Sequence, residues 1–335
     1  MIAAILRELN EPLELAEVEP LGPELGQVLV RMLTSGICGS QLAEIRGEKG
    51  NADHLPHLLG HEGCGIVEAI GAGVRKVREG DKVVIHWRKG SGIESAFPRY
   101  RHQGRTITSG KAVTFAEQVL VSENRVTPVP PEFPADLAAL FGCGFSTAMA
   151  ALEREAEIKA GERVMVIGAG GIGINVLAAA GLKAPGDLCC CDVVESKREL
   201  VEGFGSRFVC RTIDKADHGA FDVVIDTIAN ATAFSTGMKA LAPSGRLIVI
   251  GQAPAFLGFE NSPAFFAGDG QSIKATQGGG FLPDVDIPRW VRLWERGHQL
   301  ADGVITHRFP FAAINAALNV VRQGQGGRVL LTFGK

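Results

Sequence analysis

The residues best suited to chemistry are three widely spaced side chains that bind metals well, Cys38, His61 and Cys143. They are followed by a glycine-rich run, Gly168-Ala169-Gly170-Gly171-Ile172-Gly173. Catalytic zinc is commonly held by three protein ligands drawn from Cys, His and carboxylates, which leaves a fourth position for water or substrate. A glycine-rich turn from a strand into a helix can hold the pyrophosphate of a dinucleotide. Together the two groups indicate metal-assisted hydride transfer.

The glycine-rich run lies between an apolar segment typical of a buried strand, residues 163–167, and a segment typical of a helix, residues 172–183. In that setting the three glycines of the pattern have separate roles. Gly168 permits the tight turn, Gly170 lets the backbone approach the pyrophosphate, and Gly173 lets the helix pack closely on the strand. The run therefore predicts a dinucleotide-binding turn.

Asp192 follows 24 residues after Gly168, directly behind a second apolar run. A carboxylate at the end of the second strand of a dinucleotide-binding unit accepts hydrogen bonds from the adenosine ribose hydroxyls. The same carboxylate repels the 2′-phosphate of NADP, so Asp192 favours NAD. The alternative is a helix-capping aspartate.

Composition sets broad limits on partners. The chain has 335 residues, 34 basic and 37 acidic side chains, and a net charge of −3. This balance gives no general attraction for nucleic acid or for an anionic membrane surface. No segment reaches the roughly 18 uninterrupted apolar residues of a membrane span. We therefore expect about two domains in a cytoplasmic protein that binds no nucleic acid and no membrane.

The elements that must position these residues change character along the chain. Residues 1–145 contain short alternating or β-branched runs broken by Gly, Pro and Asp, which is typical of a mostly β region. Residues 146–278 alternate apolar strands with helical segments, which predicts a doubly wound parallel sheet. Two helices and a strand are expected in 279–335. The predicted elements are strands at 27–32, 82–85, 163–167, 188–191, 221–226, 245–251 and 328–333, and helices at 172–183, 287–296 and 311–322.

The seven cysteines are an odd number spread over a long chain, which fits reduced thiols and metal binding better than a disulfide framework. Cys189, Cys190 and Cys191 lie together in an apolar run, and we interpret them as small hydrophobic residues of a buried strand. Cys64 lies beside His61 and is expected to be packed rather than bound to metal.

Over essentially its whole length the chain resembles the medium-chain dehydrogenase/reductase family, in particular its zinc-dependent alcohol dehydrogenases. Several long motifs occur in the family's order. They are Gly36-Ile37-Cys38-Gly39-Ser40, Gly60-His61-Glu62-Gly63-Cys64-Gly65, Gly142-Cys143-Gly144-Phe145-Ser146-Thr147, the glycine-rich run, and the tail from Ile305 through Phe333.

The resemblance implies a role for each residue around the metal. Cys38, His61 and Cys143 would hold one catalytic zinc ion per chain. Glu62 would be a nearby carboxylate that can approach the metal. Ser40 would be the hydroxyl that meets the substrate alcohol and takes its proton by a hydrogen bond.

The resemblance also implies how NAD is held. Lys197 would face the adenosine ribose together with Asp192, and Arg328 would reach the pyrophosphate. Backbone groups that would receive the nicotinamide carboxamide are those of Ile250, Thr276 and Gly278. The implied fold is α/β, with a Rossmann doubly wound parallel sheet domain at 146–278 inserted in a mostly β GroES-like catalytic domain at 1–145 and 279–335. A homo-oligomer, either a dimer or a tetramer, is expected.

Three departures from the family pattern are informative. Gln41 stands where the family usually has Asp, so its amide could still accept a hydrogen bond from His61 but without charge. Ala43 stands where liver-type members end a proton relay with His. Residues 87–111 contain no cysteine, so the second, structural zinc of many members should be missing. This segment is instead rich in cations and is either a solvated surface or a site for an anionic substrate or neighbouring subunit.

The sequence thus predicts an NAD-dependent zinc alcohol or polyol dehydrogenase acting on a small-molecule alcohol. The first alternative is a zinc-independent quinone or enoyl reductase on the same fold, which usually prefers NADPH. A second alternative is a non-catalytic binding protein that has kept the scaffold. That protein should lack the complete ligand trio and the acidic ribose residue, and this chain has both.

Overall fold

The structure is a computed structural model that describes residues 1–50, 52–252, 270–296 and 303–334. It divides into two compact units. The first contains Met1–Gly144, Leu282–Leu300 and Ile305–Lys335, and the second contains Phe145–Phe281 and Ala301–Val304. The assignment of these units to catalysis and to NAD binding stays a prediction.

The strands of the described residues belong to three sheets. They are β1 (Ile2–Leu6), β2 (Glu14–Glu17), β3 (Glu19–Pro20), β4 (Gln27–Ile37), β5 (His57–Leu58), β6 (Gly63–Ile70), β7 (Lys82–Ile85), β8 (Arg99–His102), β9 (Arg105–Ser109), β10 (Gln118–Ser122), β11 (Val126–Pro128), β12 (Arg163–Ile167), β13 (Asp187–Asp192), β14 (Arg207–Cys210), β15 (Phe221–Asp226), β16 (Leu241–Val249), β17 (Ser272–Ala275), β18 (Ile305–Pro310) and β19 (Arg328–Thr332).

The helices cover the sheets or carry site residues. They are α1 (Gly39–Ile45), α2 (Ala135–Phe141), α3 (Gly144–Ala150), α4 (Gly171–Gly181), α5 (Arg198–Glu202), α6 (Ala231–Ala240), α7 (Pro283–Glu295) and α8 (Ile314–Arg322). A π-helical turn, Ala151–Glu155, continues α3. Among the described residues no single helix is long and apolar enough to cross a membrane, and one bent pair, Ala135–Phe141 with Gly144–Glu155, meets that requirement by length and composition only.

The main sheet of the first unit is built around β4. Its order is β11-β7-β6-β4-β19-β18, and β10 also pairs with β4. Strand β10 pairs with residues 27–31 of β4, whereas β19 pairs with residues 34–37. The alternate residues Val28, Val30 and Met32 enter one apolar core, as the period of two along a strand requires. The end of β4 that leads to Cys38 is therefore supported by β19.

The predicted cation-rich segment forms the hairpin β8–β9, which joins the other sheet of the first unit, of order β2-β1-β5-β9-β8-β3. Arg99 pairs with Glu24, and Arg101 pairs with Glu19. Glu94 pairs with Lys111, and contact with Lys111 lowers the pKa of Glu94 to about 2. Acidic side chains therefore neutralise much of the positive charge of this segment. This favours a solvated surface over a site for an anionic substrate or a neighbouring subunit.

The second unit contains a six-stranded parallel sheet of order β14-β13-β12-β15-β16-β17. This is the order 3-2-1-4-5-6 of a Rossmann fold. Central strand β12 is buried from Val164 to Ile167, because helices of a doubly wound fold cover both faces. The α/β fold with a parallel sheet and a mostly β region is as the sequence predicts.

The three adjacent cysteines lie on β13, between β12 and β14. Cys189 and Cys190 are 0% exposed and Cys191 is 5% exposed. Burial raises the pKa of the Cys189 thiol to about 12 and that of Cys191 to about 11. The interpretation of this run as apolar strand residues is confirmed.

Candidate active site and dinucleotide turn

The predicted metal ligands lie together in the first unit. Cys38 directly follows β4 and begins α1, His61 precedes β6, and Cys143 lies between α2 and α3. One ligand atom from each residue lies within 4.8 Å of the others. Contact with the Cys143 thiol, followed by nearby His61 and Arg328, holds the pKa of the Cys38 thiol well below its usual value. Among the described residues this is the group of Cys, His, Asp and Glu side chains that could hold a metal.

The two ring nitrogens of His61 have different surroundings. Its Nδ1 lies 2.6 Å from the Nε2 atom of Gln41 and 3.4 Å from Ser40 Oγ. Its Nε2 is buried and has no hydrogen-bond partner among the described residues. Since the cysteines offer two sulfurs, Nε2 of His61 completes an N/S donor set of the kind that zinc prefers.

Gln41 has the opposite hydrogen-bond direction to the one expected from the sequence. Its Oε1 accepts from the backbone N–H of Cys38 at 3.0 Å, as part of a capping box at the start of α1. Its amide nitrogen therefore points at His61. The sequence could not show this, because the choice depends on which backbone donor reaches the amide oxygen.

Glu62 and Arg328 form a buried ion pair beside the predicted metal ligands, and their side chains are 0% and 1% exposed. Glu62 Oε2 also accepts from the backbone N–H of Gly144 at 3.2 Å. A Cβ atom at Gly36 would lie 2.5 Å from Glu62 Oε1, and one at Gly142 would lie 2.8 Å from the Glu62 Cα. These two glycines leave the space that Glu62 occupies.

Arg328 thus lies within the first unit, paired with Glu62 and near Cys38. Burial lowers the pKa of its guanidinium. Its contact with a pyrophosphate, which the resemblance implies, stays a prediction.

The sequence analysis did not identify one carboxyl group that lies near the predicted metal ligands. Glu44 lies on α1, one turn after Gln41, and hydrogen-bonds to the Gln41 side chain. Burial raises the pKa of Glu44. Residues three apart on a helix are neighbours, and this spacing was the available signal.

The glycine-rich run forms the turn from β12 into α4. Gly168 has a φ of +94°, and a Cβ there would lie 2.7 Å from Thr227 Oγ1. A Cβ at Gly173 would lie 1.7 Å from the carbonyl oxygen of Gly168. Gly170, by contrast, begins α4 and faces open space, because a Cβ there meets nothing within 4 Å. The turn, with Gly171 and Ile172 opening the helix, therefore has two glycines required by packing and one that leaves room for a ligand.

Replacing Gly173 by alanine should destabilise the protein by about 1–3 kcal/mol and weaken dinucleotide binding, because the added methyl group overlaps backbone that cannot rotate away. Gly181→Ala is the matched control on the same helix, since a Cβ at Gly181 meets nothing within 4 Å. It should be neutral or slightly stabilising. Chemical denaturation of both variants, with a dinucleotide titration, tests the difference, and equal effects would contradict this interpretation.

Asp192 ends β13 beside this turn and is 6% exposed. Its Oδ2 accepts from the backbone N–H of Ala169 at 2.6 Å, and its Oδ1 accepts from Val194 at 2.8 Å. Lys197 Nζ lies 3.4 Å from Oδ2. A carboxylate offers about four acceptor positions, so Asp192 can hold the turn and still receive ribose hydroxyls.

The residues predicted to receive a carboxamide lie at the carboxyl ends of β16 and β17. The backbone N–H of Ile250 already donates to Asp226 at 2.8 Å, and that of Thr276 donates to Val249 at 2.9 Å. Because both N–H groups already donate within the protein, the backbone groups of Ile250 and Thr276 that would contact a carboxamide are their carbonyl oxygens. Gly278 has a φ of +73° and opens a short turn.

Two further polar residues lie at the end of β15, and Thr227 is the one that bonds to the glycine-rich turn. Thr227 Oγ1 donates to the carbonyl oxygen of Ile167 at 2.9 Å. Asp226 Oδ1 accepts from the backbone N–H groups of Ile228 and Ala229 at 2.8 and 3.0 Å. Burial raises the pKa of Asp226. A polar pair at the end of a buried parallel strand was the signal for these residues.

Cys64 is 0% exposed on β6, and burial raises the pKa of its thiol to about 12. It is not part of the group that could hold a metal. The expectation that Cys64 is packed is confirmed.

Known proteins resemble this chain over its whole length. Residues 24–131 match the alcohol dehydrogenase GroES-like domain family. The NDMA-dependent alcohol dehydrogenase of Amycolatopsis methanolica is 27% identical, with 97% of each chain covered. Alcohol dehydrogenase class-3 of Drosophila melanogaster is 26% identical, covering 99% of this chain and 97% of the relative.

Solved structures share the fold. The benzyl alcohol dehydrogenase of Acinetobacter calcoaceticus superposes with a TM-score of 0.87 at 24% identity, with 99% of each chain covered. An alcohol dehydrogenase zinc-binding domain protein of Burkholderia ambifaria gives 0.89 at 24% identity, covering 100% of this chain and 99% of the other. In its motifs, its two kinds of sheet and these relatives, the chain is similar to the alcohol dehydrogenases of the medium-chain dehydrogenase/reductase family.

Proposed function

We propose that this protein is an NAD-dependent zinc alcohol or polyol dehydrogenase. An alcohol CH–OH and NAD⁺ would give the carbonyl compound, NADH and one proton. The observation that carries the proposal is the convergence of Cys38, His61 and Cys143 beside the hydroxyl of Ser40.

The donor set fits zinc. Two thiols and one imidazole are a ligand set of catalytic zinc sites, and a protein that supplies three ligands leaves a fourth position for substrate. The buried Nε2 of His61, which meets no other partner among the described residues, supports a ligand at this point. Bound zinc would supply a Lewis acid that lowers the pKa of the substrate alcohol.

Ser40 would take the alcohol proton in this proposal. It is half-buried on the first turn of α1, next to the ligands, with its Oγ 3.4 Å from His61 Nδ1. A hydroxyl can accept one hydrogen bond while it donates another, so Ser40 can take the proton and pass it toward the nicotinamide ribose. Glu62 and Arg328 behind the ligands add no net charge, because they neutralise each other.

NAD is the dinucleotide that the second unit favours. Gly170 leaves backbone open to a pyrophosphate at the start of α4, where the helix dipole favours anions. Asp192 and Lys197 would meet the adenosine ribose, and the carbonyl oxygens of Ile250 and Thr276 would accept from the carboxamide. The Asp192 carboxylate opposes the 2′-phosphate of NADP.

The test is a panel of primary alcohols, secondary alcohols, polyols and sugar derivatives assayed for NADH formation with zinc-replete enzyme. We expect activity with some member of the panel and a preference for NAD. NADPH-dependent reduction of quinones or enones by zinc-free protein would instead support the zinc-independent reductase. No turnover and no dinucleotide binding would support the non-catalytic alternative.

Ser40→Ala should slow hydride transfer strongly, by about 10²-fold or more, because it removes the group that takes the proton. His54→Ala and His57→Ala should change it little if the path ends in water, since His54 is exposed and burial lowers the pKa of His57. Single-turnover NADH formation from pH 6 to 10 measures the step without cofactor release. Undiminished rates in Ser40→Ala would remove Ser40 from the path, and a large loss in a histidine variant would place that histidine on it.

A homo-oligomeric state and a cytoplasmic location stay predictions from the sequence. Sedimentation of the purified protein would decide the first.

A further inference from the structure

The feature that carries an inference is the buried side chain of Gln41, which is 0% exposed. Its Oε1 accepts from the backbone N–H of Cys38 at 3.0 Å. A backbone N–H can only donate, so its partner must be the amide oxygen rather than the amide nitrogen. This contact fixes the orientation of the amide and directs its NH₂ group at His61 Nδ1, 2.6 Å away.

The amide NH₂ can only donate, so it requires His61 Nδ1 to accept. A neutral imidazole that accepts through Nδ1 has its hydrogen on Nε2. Nε2 is also the nitrogen left for a metal, and a ligand nitrogen must offer its lone pair. The Gln41 hydrogen bond therefore requires the ring hydrogen of His61 on Nε2, whereas metal binding through Nε2 requires it on Nδ1.

Two rearrangements would resolve the conflict. The hydrogen could stand on Nδ1 and be shared with Ser40 Oγ, which lies 3.4 Å away and is a long contact. Alternatively, the Gln41 amide could turn over, which would break its bond to Cys38 N–H. Each loses one hydrogen bond of the buried Gln41 side chain.

We propose that Gln41 is a positioning residue that weakens zinc binding by donating to His61 Nδ1, where a carboxylate would accept. The inference rests on the proposed metal site. Histidine ligands almost always donate a hydrogen bond from their second ring N–H to a carboxylate, carbonyl or water, and loss of such a partner typically costs 10–100-fold in metal affinity. A glutamate at position 41 has the same length, so one oxygen can keep the Cys38 N–H bond while the other accepts from His61.

The experiment compares zinc affinity in the wild type, Gln41→Glu and a control, Gln27→Glu, by competition with a chelating dye. Gln27 is also buried in the first unit, and its Oε1 also accepts a backbone N–H, from Glu24 at 2.9 Å. We expect Gln41→Glu to bind zinc about 10–100-fold more tightly and Gln27→Glu to match the wild type. If folded Gln41→Glu binds zinc as tightly as the wild type or less tightly, the inference about Gln41 is overturned and the proposed function is not. Absence of zinc binding in all three proteins would overturn the proposed function and the inference with it.

A second measurement does not depend on the folding of a variant. Zinc-free wild type labelled with ¹⁵N-histidine should show the His61 hydrogen on Nε2, and zinc should move it to Nδ1. The histidine signal that is present in the wild type and absent from His61→Gln belongs to His61. A hydrogen on Nδ1 in the zinc-free protein would contradict the proposed role of Gln41.

Discussion

Cys38→Ala and His61→Ala proteins should contain no zinc and should lose alcohol oxidation by about 10³-fold or more. Each substitution would remove one of the three proposed ligands, and a bound Lewis acid would lower the barrier by several kcal/mol, where 1.36 kcal/mol is tenfold in rate. Wild type should hold one zinc per chain, because the described residues contain one group of this kind. Elemental analysis and NADH formation on the same samples measure both effects.

Cys64→Ala is the matched control for these variants. Cys64 is also a cysteine near His61, but it is packed within β6 and outside the ligand group. It should keep its zinc and most of its activity. Two zinc ions per wild-type chain, or full activity in metal-free protein, would refute the proposed metal site.

Asp192→Ala should lower kcat/KM with NAD by about 10–100-fold, because hydrogen bonds to a charged group contribute about 1.5–3 kcal/mol. The loss with NADP should be smaller, since the same change removes repulsion of the 2′-phosphate. The ratio of kcat/KM with NAD to kcat/KM with NADP should therefore fall. Measurement of kcat/KM for both dinucleotides in both proteins tests this, and a wild-type preference for NADP would contradict it.

Asp192 also holds the Ala169 N–H of the turn, so part of the loss has a structural origin. Asp187→Ala, at the other end of β13, removes a carboxylate from the same strand and should leave the preference for NAD unchanged. Asp192→Asn keeps one acceptor oxygen without charge. If repulsion of the 2′-phosphate by the Asp192 carboxylate determines the preference for NAD, Asp192→Asn should reduce that preference as much as Asp192→Ala does.

Elements with a regular apolar pattern were predictable from the sequence. Strands β12 and β15 were predicted with the bounds that the structure has, because a strand buried on both faces needs a continuous apolar run. Strand β4 extends five residues beyond its predicted end at residue 32. It continues because β19, almost 300 residues later in the chain, pairs with its second half, and no local pattern reveals such a partner.

The candidate site was predictable as a set of residues but not as a set of contacts. Motif spacing placed Cys38, His61 and Cys143 in one group. The direction of the Gln41 amide and the burial of Arg328 against Glu62 depend on groups from distant elements. The types of the side chains alone do not reveal which hydrogen-bond donor or charged group lies next to each of them in the folded protein.

The interrupted first unit has a consequence for biosynthesis. The second unit is largely continuous in the chain, whereas the first needs strands from both sides of it. Domains tend to fold in the order in which they leave the ribosome. While residues 328–332 are still being translated, the backbone of residues 34–37 lacks its β19 partner, and Glu62 lacks the arginine that neutralises it. The nascent chain therefore exposes an unpaired strand edge directly before Cys38 until β19 has emerged.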